Sequence, residues 1–328
     1  MRSTILLAWL LIACSVEGAS VRRIWIDTDP AIGAPWREVD DAFALVLAFH
    51  SPEVRIVGIS TTYGNAGLKR TTTVSRDLVR RFGRAAGLSE ASVHSGARSP
   101  GDFSQRTRAT DALARALEKE NLTYVALGPL TNLAAFIRQH PGLSRGLERV
   151  ILVGGQTPER PLVFGPTGAV RVHDANVFKD ADAVRAILKT DIPVVLAPVE
   201  ASSDLVLERE QWRRLRDGGQ AARFLKIRTG IWIWFWTSIV QHRGGPLFDS
   251  LAVMLAAKPE LVIQRTRYAS VRGTDLIAAQ NSTPGARAVG FAVRPRARCE
   301  QLAVERLREG EALERGVPSY SPNPRDLR

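Results

Sequence analysis

The segment IWIDTDPAIGAPWREVDDAFALVLAF concentrates four aspartates between Asp27 and Asp41. A short apolar run, residues 24–26, has the pattern of a buried strand, and the DTDP sequence ends it. Asp40 and Asp41 open the next apolar run, in the first turn of a predicted helix, where carboxylates are favourable. Carboxylates crowded at one junction repel each other unless a positive charge lies among them. A hard divalent cation with oxygen ligands meets that requirement, so the segment predicts a metal site.

Strand and helix signals alternate along most of the chain, which predicts a mainly parallel, Rossmann-like open α/β sheet flanked by helices. The predicted strands are Arg23–Ile26, Val54–Thr61, Tyr124–Leu127, Val150–Val153 and Pro193–Leu196. The predicted helices are Asp40–Phe49, Leu68–Phe82, Asp111–Glu118, Asn132–Gln139, Ala181–Leu188 and Ser250–Ala257.

Most of the polar motifs follow a predicted strand. Tyr63-Gly64-Asn65 follows the second strand, and the GPLTN sequence of residues 128–132 follows the third. Because ligands of parallel sheets bind at the carboxyl ends of the strands, we expect these motifs to surround one site. The sequence contains no zinc-ligand spacing, dinucleotide-binding glycine fingerprint or evident Ser-His-Asp arrangement.

The pattern changes beyond about residue 260, where the helical period fades. Three short strands with a turn at Asn281–Gly285 predict a small antiparallel part near the C-terminus. These strands are Tyr268–Gly273, Leu276–Gln280 and Ala288–Arg294. A short helix over Glu300–Arg308 is expected to follow. We therefore predict a single domain over residues 22–309 and a loose tail over residues 310–328, which contain three prolines and few apolar residues.

Composition indicates a globular protein, because 45% of the 328 residues are hydrophobic and 24% are charged. The formal net charge of +12 is of a kind seen in proteins that bind nucleic acid or anionic membranes. Here the arginines are interleaved with acidic residues, as in Arg213, Arg214 and Arg216 beside Asp217, and no basic run reaches five residues. We therefore expect an arginine-rich, solvated surface and no nucleic-acid partner.

The first nineteen residues have the pattern of an export signal. Arg2 precedes the apolar stretch Ile5–Ala13, which is too short for a permanent membrane span but fits the core of a signal peptide. The sequence LIAC ending at Cys14 resembles a lipobox, in which the cysteine is lipidated. An exported protein, periplasmic or anchored to the membrane by a lipid on Cys14, is therefore expected. Cleavage near Gly18-Ala19 by an ordinary signal peptidase is the alternative to lipidation. A misplaced start codon is the alternative to export, and it would leave the protein cytoplasmic.

Several further motifs have a recognisable order and spacing. Asn65, the GPLTN sequence, Asp174-Ala175-Asn176 and Asp249 in PLFDSLAV follow the DTDP and DD sequences. As a set they resemble the nucleoside hydrolase family (inosine/uridine-preferring), calcium-dependent enzymes that cleave the N-glycosidic bond of ribonucleosides. The resemblance extends from about residue 24 to residue 258.

The resemblance implies a Ca²⁺ site. Asp29, Asp41 and Asp249 would supply carboxylate ligands and Leu127 its main-chain carbonyl, a mixed oxygen shell that calcium accepts. A water held by the metal would be the nucleophile, and Asp29 would take its proton as general base. A turn or helix cap is the alternative role for Asp29. Asp27 is expected to orient neighbouring groups rather than to bind the metal.

The resemblance also implies contacts to the sugar and the base. Asp40 would bind the 2′-hydroxyl, Asn65 the ribose face near the metal, Asn176 the 2′/3′ edge and Asp174 the 5′-hydroxyl. Hydrogen bonds of this kind strengthen as the sugar approaches an oxocarbenium ion. The segment GIWIWFWTS lies where the family places its nucleobase wall, so Trp232 and Trp236 are candidates for stacking on the base. Burial in an apolar segment is the alternative for each tryptophan.

The sequence departs from the family pattern in four places. Nine residues, 31–39, separate DP from DD, where the family has two, and they predict a longer loop beside the site. Asp174 replaces a glutamate and Gly168 replaces an asparagine, which predicts a looser 5′-hydroxyl pocket. Phe248 replaces a histidine that protonates the leaving base in some members.

Two histidines, His173 and His242, are alternative candidates for the proton donor, although exposed or structural roles are common for histidine. Without a donor, aromatic stacking on a purine ring is the other way to assist departure of the base.

The sequence therefore predicts a calcium-dependent hydrolase that converts a small-molecule ribonucleoside to free base and ribose, assembled as a dimer or tetramer. A non-catalytic, calcium-linked binder of nucleoside or ribose is the second hypothesis, because Phe248 cannot donate a proton. A basic envelope protein that acts only as a scaffold is the third, and it gives the clustered aspartates no purpose.

Overall fold

The computed structural model describes residues 21–34, 36–101, 103–159, 163–168, 170–171 and 174–314. Cys14 and the rest of the proposed export signal lie outside the described residues, as does the chain beyond Glu314. Export, lipidation and the loose tail from residue 315 therefore stay predictions. Within the described ranges, no helix is both long enough and apolar enough to cross a bilayer.

The described elements agree closely with the alternation predicted from the sequence. The strands are β1 (Arg22–Thr28), β2 (Val54–Thr61), β3 (Val93–Ser95), β4 (Leu122–Ala126), β5 (Leu147–Val153), β6 (Val163–Phe164), β7 (Val170–Arg171), β8 (Val194–Ala197), β9 (Val206–Glu208), β10 (Gly244–Pro246), β11 (Val262–Arg272), β12 (Asp275–Ala279) and β13 (Arg287–Pro295). The helices are α1 (Asp40–Phe49), α2 (Leu68–Phe82), α3 (Arg108–Leu117), α4 (Thr131–Gln139), α5 (Ala175–Lys179), α6 (Ala181–Leu188), α7 (Val199–Ser202), α8 (Arg209–Arg214), α9 (Gln220–Arg228), α10 (Gly230–Trp234), α11 (Phe248–Ala257) and α12 (Ala297–Glu314). Short 3₁₀ helices lie at Glu90–Ser92, Leu143–Gly146, Leu215–Asp217 and Pro259–Leu261, and a π-helical turn, Phe235–Ile239, continues α10.

Nine strands form the central sheet, in the order β12-β11-β13-β8-β5-β4-β1-β2-β3. Neighbouring strands from β13 to β3 are parallel. The β12-β11-β13 edge is antiparallel. Helices pack on both faces, and two hydrophobic clusters lie on opposite sides of the sheet. The α/β class and the antiparallel part near the C-terminus are thereby confirmed.

Two central helices, α1 and α11, are buried along their whole length and pack against each other. Both are apolar on every side, which is the pattern of a helix enclosed by other elements rather than of a surface helix. Each nevertheless begins with aspartate, Asp40-Asp41 in α1 and Asp249 in α11. The packing of α1 on α11 therefore brings three carboxylates to the same edge of the sheet.

A buried polar network joins β1 to its neighbours beneath that edge. Asp27 Oδ1 accepts hydrogen bonds from Ser60 Oγ (2.6 Å) and Asn132 Nδ2 (2.8 Å), and Trp25 Nε1 donates to Ser60 Oγ (2.9 Å). Burial raises the pKa of Asp27 to about 6, against the lowering effect of these hydrogen bonds. Asp27 therefore orients the asparagine at the start of α4, in the role expected from the sequence.

The inserted segment, residues 31–39, forms a loop that is anchored at both ends. Ala31, Ile32 and Val39 are buried, whereas Trp36 is 74% exposed. The extra residues extend toward solvent, and α1 begins at Asp40 as predicted. The insertion therefore leaves the two aspartates of α1 close to Asp29.

The last described helix is longer than predicted. Helix α12 continues to Glu314, whereas the sequence indicated an end near Arg308 and a loose tail from residue 310. The sequence EGEALE contains good helix formers, and the next proline is Pro318. Gly310 also packs closely on the His50 ring, where an added Cβ would lie 1.8 Å from Nδ1.

A close contact in the sheet predicts one stability effect. A Cβ added at Gly58 would lie 2.3 Å from the buried indole of Trp25. Overpacking of this kind costs about 1–3 kcal/mol, so Gly58→Ala should lower the free energy of unfolding by that amount in urea denaturation.

Gly142→Ala is the matched control, because Gly142 has helical backbone angles and no atom within 4 Å of an added Cβ. It should change the free energy of unfolding by less than about 1 kcal/mol, in the stabilising direction. Equal losses in the two variants would contradict the assigned contact.

Candidate active site

A cavity of about 330 Å³ opens at the carboxyl ends of the central strands. It combines acidic and amide side chains with an aromatic wall. Its lining residues are Glu38, Asp40, Asn65, Leu127, Val153, Val170, Asp174, Ala175, Asn176, Val199, Phe235, Trp236, Phe248 and Asp249. Seven of the ten site residues predicted from the sequence are among them, and Asp29, Asp41 and Trp232 are not.

Three carboxylates converge at the floor of the cavity. Asp40, Asp41 and Asp249 each offer an oxygen within 4.8 Å of the others, and all three are buried. Burial raises the pKa of Asp40 and Asp249 well above the usual value, and the neighbouring carboxylates raise it further. Such a group is stable at neutral pH when a cation or protons offset the negative charge. Donor atoms that are all oxygen favour a hard cation such as calcium or magnesium.

Asp29 lies beside this trio rather than within it. Its carboxylate accepts hydrogen bonds from the main-chain N–H of Asn65 (2.8 Å) and from Asn65 Nδ2 (3.3 Å). Asn65 Nδ2 also donates to Asp41 Oδ2 (2.9 Å), so one amide group holds the two carboxylates together. Asp41 in turn accepts from the main-chain N–H of Asp29 (3.0 Å).

The surroundings of Asp29 keep it tightly enclosed. Burial, followed by repulsion from Asp41, raises the pKa of Asp29 well above the usual value. Lys179 Nζ lies 3.9 Å from Asp29 Oδ2 and partly offsets this repulsion. A side chain at Gly64 would overlap the carboxylate, since an added Cβ would lie 1.6 Å from Oδ2. The glycine is therefore needed for Asp29 to lie where it does.

Asn176 connects the ends of two strands. Its Nδ2 donates to the main-chain oxygens of Leu127 (2.7 Å) and Val153 (3.1 Å), which follow or end β4 and β5. The carbonyl of Leu127, predicted as a metal ligand, thus lies on the cavity wall and accepts from Asn176. In the described part of the chain, the amide oxygen of Asn176 has no donor.

Asp174 caps α5 and also binds the glycine pair after β5. Its carboxylate accepts from the main-chain N–H of Val177 (3.3 Å) and, over a short distance, from that of Gly155. Burial raises its pKa to about 6, against the effect of the backbone N–H groups. Gly168, in the nearby loop, has a positive φ of 63° and does not line the cavity. Asp174 was predicted to bind the 5′-hydroxyl. Part of its capacity to accept hydrogen bonds is therefore already used by the backbone.

The aromatic wall consists of Phe235, Trp236 and Phe248. The rings of Trp236 and Phe248 lie 5.7 Å apart, edge to face, and Phe164 packs against both. The Trp236 indole N–H is buried and has no hydrogen-bond partner among the described residues. Trp236 therefore lies on the cavity wall, and its contact with a nucleobase stays a prediction.

Trp232 takes a different position from the one predicted. Its ring packs against Phe43 of α1, with ring centroids 5.4 Å apart, and its indole N–H donates to Glu38 Oε2 (3.2 Å). It borders a neighbouring cavity and is not among the lining residues of the candidate active site. Trp232 supports the wall from behind because helix α10 turns its side chain toward α1.

Of the two histidines proposed as proton donors, the structure describes only His242. His242 Nδ1 lies 2.8 Å from the main-chain oxygen of Gly244, and its ring packs against Trp236 behind the cavity wall. His173 lies outside the described residues. Phe248 lines the cavity at the position of the family histidine, so this position offers no proton donor.

Sequence reasoning missed two charged residues of the site, Glu38 and Lys179. Glu38 comes from the inserted loop, and burial raises its pKa to about 7, with a smaller contribution from Asp41. Lys179 ends α5, where its Nζ approaches Asp29 and also donates to Asn65 Oδ1 (3.5 Å). Nothing in the sequence around Lys179 indicates that it belongs to the site. Glu38, two residues before Asp40, adds a further carboxylate to the acidic segment and could have been identified from the sequence.

The arrangement suits a ligand with hydroxyl groups at one end and a flat ring at the other. The carboxylates and amides are clustered on the floor, whereas Phe235, Trp236 and Phe248 offer apolar ring surfaces on the wall. Carboxylates are strong acceptors for hydroxyl groups, and aromatic side chains stack on flat rings.

Comparison with known proteins agrees with this geometry. Residues 24–297 match the sequence profile of the family described as inosine-uridine preferring nucleoside hydrolase. A probable uridine nucleosidase 2 of Arabidopsis thaliana is 24% identical over 271 residues, which are 73% of this chain and 79% of that protein. The pyrimidine-specific ribonucleoside hydrolase RihA of Citrobacter koseri is 26% identical over 71% of this chain and 80% of its own length.

Solved structures show the same fold. A plant nucleoside hydrolase superposes with a TM-score of 0.74 at 22% identity, covering 88% of this chain and 99% of its own. A purine-preferring ribonucleoside hydrolase from Gardnerella vaginalis gives a TM-score of 0.72 at 21% identity, covering 87% and 98%. The match of the family profile to most of the chain confirms the resemblance read from the motifs. This chain therefore belongs to the inosine-uridine preferring nucleoside hydrolase family.

Proposed function

We propose that this protein hydrolyses the N-glycosidic bond of ribonucleosides, with calcium bound at the floor of the cavity, to give free base and ribose. One observation supports this proposal most directly. Buried carboxylates from α1 and α11 converge at a cavity that is also lined by the aromatic residues Phe235, Trp236 and Phe248. A sugar and a base joined by one bond would fit across these two surfaces.

The residues present fit a calcium ion. We assign Asp29, Asp41, Asp249 and the carbonyl of Leu127 as its ligands, because they are oxygen donors grouped around the cavity floor. Burial raises the pKa of each of these aspartates, and the positive charge of Lys179 partly offsets this for Asp29. When bound, calcium would supply further positive charge and would acidify a coordinated water.

Asp29 is the proposed general base. Its carboxylate is held by the main-chain N–H of Asn65 beside the proposed metal, where it can accept the proton of a coordinated water. Asn65 holds Asp29 and Asp41 in a common orientation. Lys179 limits how far the pKa of Asp29 rises, so that the carboxylate remains able to accept a proton.

We assign the sugar to the polar end of the cavity. Asp40 lines the cavity while Asp41 lies beneath it, so we place the 2′-hydroxyl on Asp40 and keep Asp41 for the metal. Asn65 would contact the ribose face, the free amide oxygen of Asn176 its 2′/3′ edge, and Asp174 its 5′ end. Acceptors at the hydroxyls strengthen their hydrogen bonds as positive charge develops on the ring.

The base would lie against Trp236 with Phe235 and Phe248 beside it. Phe248 cannot protonate the departing base, so stacking on the aromatic wall is the proposed assistance at this position. A non-catalytic nucleoside binder would need the same cavity, but it would have no use for Asp29 as a base. Export, a lipid anchor at Cys14 and a homo-oligomeric state stay predictions from the sequence.

Activity should depend on both the metal and Asp29. Purified protein incubated with inosine, adenosine, guanosine, uridine or cytidine should release free base and ribose, and a calcium chelator should abolish the release. Loss of a general base typically costs 10²–10⁴-fold, so Asp29→Asn should lower kcat by about that factor. Release is measured by chromatography of the free base.

Asp111→Asn is the control, because Asp111 forms a surface ion pair with Arg106 outside the cavity. It should keep wild-type turnover. Full turnover in Asp29→Asn would falsify the role of that residue. Tight nucleoside binding without release from the wild type would replace the hydrolase with the binder.

Calcium affinity should rise with pH. Raised pKa values mean that the metal-free carboxyls keep their protons to higher pH than ordinary aspartates do, and these protons must leave before calcium binds. The dissociation constant measured by calorimetry should fall at least about tenfold from pH 5.5 to 7.5, with protons released into the buffer. Comparing two buffers of different ionisation enthalpy measures that release.

The metal-free protein should show the opposite trend in stability. Carboxyls with raised folded-state pKa values stabilise the fold at low pH, and this contribution is lost as pH rises above their unfolded-state values. Thermal unfolding without calcium should therefore occur at lower temperature at pH 7 than at pH 5. A calcium affinity that does not vary with pH, together with no proton release, would contradict the assigned cluster.

A further inference from the structure

Glu38 is a side chain of the cavity that comes from the inserted loop. The loop is anchored by the buried residues Ile32 and Val39, so Glu38 lies one residue from a fixed point. Its position is therefore set by the packing of α1 and not by the exposed tip of the loop at Trp36.

Glu38 and Phe235 lie between two neighbouring cavities. Both line the candidate active site, and both line a second cavity of about 340 Å³ on the other side. That second cavity is enclosed mainly by the inserted loop and by the segment from Arg228 to Trp232. Glu38 therefore lies beside Asp40, whose pKa its charge raises, and shares both cavities with Phe235 of the wall proposed for the base.

Hydrogen bonding leaves one oxygen of Glu38 available. Oε2 accepts from the indole N–H of Trp232 (3.2 Å), and Oε1 has no partner in the described parts of the chain. The bond to Trp232, whose ring packs on Phe43, fixes the orientation of the carboxyl group. The free oxygen thus belongs to a held acceptor rather than to a mobile surface side chain.

The chemistry around Glu38 favours a ligand that donates a hydrogen bond. Asp40 and Phe235 line the cavity with it, and neither an ionised carboxylate nor a phenyl ring donates a hydrogen bond. The charge of Lys179 also acts on Glu38 and lowers its pKa, which favours the acceptor form. The 2′-hydroxyl placed on Asp40 is next to the anomeric carbon that carries the base, so on the side of Phe235 the group that reaches Glu38 is the edge of the base. Natural nucleobases present ring or exocyclic N–H groups on that edge.

We propose that Glu38 is a specificity-determining residue that accepts a hydrogen bond from an N–H group of the leaving base. This inference rests on the proposed function for the placement of the sugar and the base. It assigns a role to a residue of the inserted loop, which lies outside the motifs shared with the family.

The test compares nucleosides that differ in donors on the base. Adenosine and inosine carry an N–H group on the six-membered ring or its substituent, whereas purine riboside carries none. In calcium-loaded enzyme, Glu38→Gln should turn an amide N–H toward the base while its oxygen keeps the bond to Trp232. At pH 8.5, above the pKa of about 7, Glu38 is ionised. Because hydrogen bonds to a charged acceptor are strong, kcat/KM for adenosine or inosine should then fall about tenfold to a hundredfold. The value for purine riboside should change less than about threefold.

Two further variants separate recognition from structure. Glu38→Ala should reduce the same selectivity ratio even if it also lowers stability, since the ratio is taken within one variant. Glu210→Gln, on the exposed surface of α8, should leave all three substrates unchanged. Thermal unfolding of each variant identifies one that does not fold.

The outcomes are distinguishable from failure of the proposed function. Equal losses for all three nucleosides, or no loss for any, would overturn the role of Glu38. If the wild type hydrolyses none of them, the proposed hydrolase is wrong, and calorimetric binding of the same nucleosides takes the place of kcat/KM. Loss of the preference for adenosine or inosine over purine riboside in Glu38→Gln would then still support the inference, and an unchanged preference would reject it.

Discussion

Electrostatic repulsion among buried carboxylates is the constraint on which this site depends. Helices α1 and α11 are apolar enough to pack inside the molecule, yet both start with aspartate at the same edge of the sheet. Buried like charges are costly unless they are neutralised. The fold tolerates them through helix N-termini, the amide of Asn65, the ammonium group of Lys179 and, in the proposed function, a cation. The position of the site and its need for a metal thus have one physical origin.

The polar supports beneath the site follow the same logic. Asp27 lies one strand position from Thr28, whose hydroxyl donates to Asp41, and it joins β1 to α4 through Asn132. Asn176 joins the ends of β4 and β5. Each support is an amide or hydroxyl that donates to an oxygen, so the backbone around the carboxylates is held by hydrogen bonds rather than by side-chain packing alone.

Much of the fold could be predicted because its signals are local. The predicted bounds of α1, α2 and α6 are confirmed to the residue. The short helices between residues 199 and 239 were not predicted, because such helices depend on tertiary packing, as α9 does on α1 and α12. Likewise, the alternating tryptophans did not reveal that Trp236 faces the cavity while Trp232 faces Phe43. The grouping of Asp40, rather than Asp29, with Asp41 and Asp249 is a matter of side-chain direction that spacing does not encode.

The loop of residues 31–39 has a consequence for how such an enzyme changes over time. Its ends are buried while Trp36 and Arg37 project into solvent, and lengthening a surface loop costs little free energy. Mutation can therefore replace the tip, and insertions there can accumulate, without disturbing the carboxylates. A protein engineer could exchange the exposed tip of this loop while keeping its buried ends and Glu38, and so leave the catalytic scaffold unaltered.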